Sequence, residues 1–222
     1  MDKELINDIL RIIQAFSESL LAHLPALEYE ITSLIESGSK DCLGIENSFD
    51  TLLSLTTYGV ADDLFMRISD YKGAITYKKW FDKNFPNDIG GPLLSLNWSI
   101  AYSGLGHIKE AKIYTIDTAF QNIYLHGLLL DREVSRIDMY EHGYDMLEYA
   151  KSMIMDYKKV STQPYLYWLR QFMDTDDYKA PVNKVIALSE LLKNENNRDK
   201  RIKLLNHIRD IECMNKNRKN NY

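Results

Sequence analysis

The side chains able to do chemistry are few and scattered in this sequence. Five histidines occur, His23, His107, His126, His142 and His207, and no two stand at metal-ligand spacing. Cys42 and Cys213 cannot build a thiolate zinc centre or a disulfide framework, and they read as free thiols of a reducing compartment. The phosphate-loop, H-E-x-x-H and nucleophile-elbow patterns are absent. Gly104, Leu105 and Gly106 begin like a dinucleotide fingerprint, but Lys109 stands where the third glycine belongs, so a turn between helices is the better reading. Asp174, Asp176 and Asp177 begin like a calcium loop, but Tyr178 and Lys179 fill the ligand and glycine positions. An acidic solvated turn before Pro181 is expected there. One cluster remains. Asp138, Glu141, His142, Asp145 and Glu148 follow at steps of three and four, which would place them on one helix face. A bundle-type metal site needs Glu-x-x-His and partners on other helices, neither of which is evident. The cluster therefore reads as a partner-facing acidic stripe or as a solvated face. No catalytic residue, metal ligand or cofactor is assigned.

The elements that would carry these residues read as helices throughout. Gly and Pro together are only 15 of 222 residues, and Val occurs five times, which disfavours a turn-rich, β-branched sandwich or barrel. Apolar residues recur at spacings of three and four, as at Leu5, Ile9, Ile13, Phe16 and Leu20. Helices are expected at about 2–23, 25–38, 45–58, 61–69, 71–85, 93–104, 107–126, 131–158, 165–173, 181–194 and 198–214. The expected fold is all-α, an array of antiparallel helical hairpins with nine to eleven helices. It is read as one domain over 1–222, with a possible subdivision near 160–164. Mean hydropathy is −0.34 and no run of 18 apolar residues occurs, so a cytoplasmic protein with no membrane contact is expected.

Charge is unevenly spread. Residues 193–222 hold nine Lys/Arg and four Asp/Glu, whereas residues 1–192 hold 18 and 28. The acidic body argues against nucleic acid and suits a basic protein partner. The basic end reads as a solvated last helix, polar and frayed over 215–222. Tyrosine is frequent, with 15 copies. Tyr165, Tyr167, Trp168 and Phe172 form one aromatic group, and Tyr140, Tyr144, Tyr149 and Tyr157 another on the expected 131–158 helix. Such side chains suit interfaces as well as cores.

Two resemblances sharpen these expectations. Tyr71, Ala74 and Pro86, and again Tyr102, Gly106 and Ala111, fall at offsets that resemble tetratricopeptide-type hairpins over 61–119. Ala74 and Ala111 should then lie buried at helix crossings. Residues 27–72 resemble small immunity proteins of bacterial contact-dependent inhibition and other polymorphic toxin systems. The resembling residues are Ile45-Glu46, Leu52-Leu53, Tyr58-Gly59, Asp62, Asp63, Leu64 and Phe65. That resemblance implies a non-enzymatic protein that binds and neutralises one cognate toxin, plausibly a basic nuclease domain. Asp62, Asp63, Asp138, Glu141, Asp145 and Glu148 are the candidate partner-binding residues. The alternative is a helical-repeat adaptor for protein–protein interaction.

Overall fold

The computed structural model describes residues 65–217 apart from 68, 86, 87, 89 and 142. The chain divides into two compact units, Met1–Ile68 and Ser69–Tyr222. Of the first, only residues 65–67 are described, as helix. The second unit carries everything below. It runs α1 Tyr71–Asn84, α2 Pro92–Gly104, α3 Ile108–Gln121, α4 Leu125–Leu129, a 3-10 turn Gly143–Asp145, α5 Leu147–Val160, α6 Gln163–Met173, α7 Asp176–Asn194 and α8 Arg198–Asn217. The fold is all-α, and no strand occurs among the described residues.

The centre is the hairpin of α2 and α3. Pro92 opens α2 at a position where its missing N–H costs nothing. Residues 94–101 are all buried, so α2 is enclosed on every side, as expected of a central helix. Gly106 turns the chain with φ +78°, a conformation that favours glycine. Ala111 then sits fully buried on α3, and Ala74 fully buried on α1, both as expected for helix crossings. Gly104 permits the close approach of α1: a Cβ there would lie 2.3 Å from the Tyr71 ring.

On its other side α3 packs against α7 and α8. Ile116, Ala119, Phe172, Tyr178 and Val182 form one core cluster. Val185, Leu188 and Ile211 form another, with Leu204 and Ile208 against it. The expected subdivision near 160–164 does not separate units. Tyr157 before it accepts a hydrogen bond from Asn97 at 3.3 Å, and Tyr165 after it meets Ser99 at 3.1 Å, so both flanks are tied to α2.

Three helix boundaries differ from the sequence expectation. The helix expected over 107–126 stops at Gln121, where Asn122 turns extended. The helix expected over 181–194 starts at Asp176, with Pro181 inside it. Asp176 and Asp177 occupy its first turn, where the positive helix end favours carboxylates. The largest difference is the helix expected over 131–158, which begins only at Leu147. Residues 132–141 have no helix, and Asp131 (φ 55°) and Gly143 (φ 67°) on either side adopt left-handed conformations. This segment is called the strap below.

Candidate functional site

The strap holds the acidic cluster, and its structure decides what those carboxylates do. Its foundation is Asn122, which is fully buried. The Asn122 amide donates to the carbonyls of Tyr144 at 2.7 Å and Met146 at 3.1 Å. Its Oδ1 accepts from the Tyr124 N–H at 2.9 Å and the Leu125 N–H at 3.2 Å, capping α4. One side chain therefore starts a helix and fastens the far end of the strap. Tyr124 holds the middle. Its hydroxyl accepts from the Ile137 N–H at 3.2 Å and donates to Glu141 Oε1. Burial and that carboxylate push the Tyr124 phenol up to about 12. The Tyr140 N–H donates to Ser189 O at 3.0 Å, and the Arg201 guanidinium lies 5.4 Å over the Tyr140 ring, so the strap also grips α7 and α8.

The expected acidic face does not exist as such, because Asp138 and Glu141 stand on the strap, Asp145 in the 3-10 turn and Glu148 in the first turn of α5. Asp138 pairs with Lys193, and Glu148 with Arg136. Glu141 lies 3.4 Å from Arg136 besides its bond to Tyr124, and its side chain is only 10% exposed. Asp138, Glu141 and Glu148 thus each have a partner within the chain, and of the three only Glu141 is enclosed. Asp62 and Asp63 lie outside the described residues, as do Pro86, His142 and the immunity-like segment up to residue 64.

Two further sites were not legible in the sequence. On α4, His126 is fully buried with Nδ1 3.1 Å from the Tyr178 hydroxyl and Nε2 unpartnered. Burial pulls the imidazole down to about 3, so it is neutral. On α1, the Lys78 ammonium is buried 5.1 Å from the Trp98 ring centre and 5.0 Å from that of Tyr114, with Asp82 as counter-ion. Tyr102 stacks on Tyr114 at 5.4 Å with planes 4° apart. Aromatic faces of this kind recognise ammonium ligands. Here the chain's own lysine fills the place, and the effect is to close the α1–α2–α3 interface. Among the described residues, no group of three His, Cys, Asp or Glu is placed to hold a metal ion.

The aromatic groups divide by burial. Tyr157, Tyr165 and Phe172 belong to the core, whereas Tyr167 is exposed. Leu147, Ala150, Ile154 and Tyr157 are the buried stripe of α5. A different stripe carries Met146, Tyr149 and Met153 at steps of three and four. Tyr144 joins it, edge-on to Tyr149 at 5.2 Å. Tyr144 is 46% exposed, and Met146 and Met153 are each 37% exposed. The sequence pointed to the tyrosines and not to the methionines between them. The helical spacing of Met146 and Met153 was a signal that could have found them. No helix among the described residues is long and apolar enough to cross a membrane. No family model, curated protein or solved structure matches this chain.

Proposed function

We propose that this chain is a non-catalytic protein-binding module, a helical adaptor whose partner is another protein. The observation that carries this reading is the face of exposed Tyr144, Met146 and Met153 around the half-buried Tyr149, on a fastened support. Tyrosine supplies rigid contact area with a polar tip. Methionine adapts its shape to a partner and is common on binding surfaces. The test is affinity capture from the native host, comparing the parent with a Tyr144→Ser, Met153→Ser double variant. A partner captured by the parent and lost at least tenfold by the variant is expected. Equal capture by both would remove this face from the function.

Neutralisation of a cognate toxin is the narrower form of the same reading. The excess of carboxylates in residues 1–192 and the resemblance of residues 27–72 favour it. In that form the protein works in the cytoplasm, without a cofactor, against a basic toxin domain. Restored growth of cells expressing such a toxin domain together with this chain is the expected result.

A further inference from the structure

Helix α8 presents cations that no carboxylate among the described residues pairs. Its inner side is held by Leu204, Ile208 and Ile211 against α7, and by Asn215. The Asn215 amide donates to Ile113 O at 3.0 Å and to Asp117 Oδ1 at 2.7 Å. The expected fraying from residue 215 is thus corrected, because that side chain is a buried clasp. The helix is fixed on one side and open on the other. Along the open side Arg198, Ile202, Leu205 and Arg209 follow at steps of four, three and four, which is one helical stripe. Ile202 and Leu205 are 45% and 44% exposed. Arg198, Lys203 and Arg209 are exposed and have no ion pair among the described residues. This contrasts with Asp138 and Glu141 on the strap and Glu148 on α5, which are paired.

We propose that this outward stripe of α8 docks an acidic amphipathic helix of a partner protein. This inference concerns a second surface and does not rest on the Tyr–Met face. Charge complementarity selects the occupant's sign. The pattern selects its form: two apolar side chains flanked by a cation at each end match a helix with apolar residues one turn apart and carboxylates beyond them. Nucleic acid fits less well, since it needs an unbroken line of cations, whereas Ile202 and Leu205 sit at the centre and Asp199 and Asp210 lie alongside. A membrane fits less well too, since interfacial helices offer a broad apolar face and this stripe exposes two residues.

The probe is a fluorescent peptide of about 20 residues, some 30 Å of helix, with Leu at helical spacing and Glu around it. A scrambled peptide of equal composition and a single-stranded DNA oligonucleotide serve as competitors against the full chain. The patterned peptide is expected to bind with micromolar affinity and at least tenfold more tightly than the scrambled one. R198E with R209E should weaken it at least tenfold, as should L205N, and all three substitutions lie on exposed positions where folding is retained. Y144S with M153S should leave it unchanged, which separates this proposal from the reading above. Equal binding of the two peptides, preferential binding of the oligonucleotide, or no binding of the patterned peptide at millimolar concentration would each overturn the proposal.

Discussion

The strap and α8 carry opposite charges and use them oppositely. On the strap, Asp138 and Glu141 close on Lys193, Tyr124 and Arg136, and Glu148 of α5 also pairs with Arg136. On α8, Arg198, Lys203 and Arg209 are exposed and have no ion pair among the described residues. A count of charged residues made the acidic region the candidate for binding and the basic end a bystander. Pairing divides them differently: Asp138, Glu141 and Glu148 each have a cationic partner, whereas Arg198, Lys203 and Arg209 have none among the described residues. Paired charge helps to fix a segment, and exposed unpaired charge can meet a partner without first breaking a pair.

The contrast can be broken by substitution, beginning beneath the strap. His126 is the largest lever. Its folded value is about 3 and the free imidazole titrates near 6.5. Between those values the unfolded chain binds a proton that the folded chain refuses, so stability falls as pH falls through that window. A loss on the order of 3 kcal/mol from this group is expected at pH 4 relative to pH 7. Urea titrations of the parent and a His126→Gln variant at both pH values measure it, and the variant should lack that increment.

Asn122 comes next. Asn122→Ala removes four hydrogen bonds at a buried site and should cost about 3 kcal/mol. Differential scanning calorimetry checks this. Glu141→Gln keeps the shape of the side chain and weakens its bonds to Tyr124 and Arg136, at a cost of about 1–2 kcal/mol. Asp138→Ala removes only an exposed pair with Lys193 and should cost under about 1 kcal/mol. The smallest effect belongs to α8, where Arg198→Glu and Arg209→Glu should each change stability by no more than about 0.5 kcal/mol. Equal destabilisation by the strap and α8 substitutions would erase the contrast.

The sequence showed the hairpin core clearly because its signals are local. Pro92 and Gly106 punctuate α2 and α3, apolar spacing marks their faces, and the burial of Ala74 and Ala111 followed from their place in the pattern. The strap was misread because Asp138, Glu141, Asp145 and Glu148 repeat at helical spacing while their partners lie elsewhere. Lys193 is 55 residues from Asp138, and Tyr124 is 17 from Glu141. Nothing local announces that Asn122 will bond the carbonyls of Tyr144 and Met146, just past the strap. The start of α7 was misplaced because Pro181 read as a helix boundary, while Asp176 and Asp177 already begin the helix. The clasp at Asn215 reaches Ile113 across 102 residues, beyond any local pattern.

Amide hydrogen exchange of the strap tests the central claim most directly. Residues 132–141 have no helix, yet the N–H groups of Arg132, Ile137 and Tyr140 are bonded to Gly127 O, the Tyr124 hydroxyl and Ser189 O. The account predicts that these three amides exchange at least about a hundredfold more slowly than in an unstructured peptide. Exchange of all three at the unstructured rate would contradict it, for the strap would then be unfastened and its carboxylates available to a partner after all.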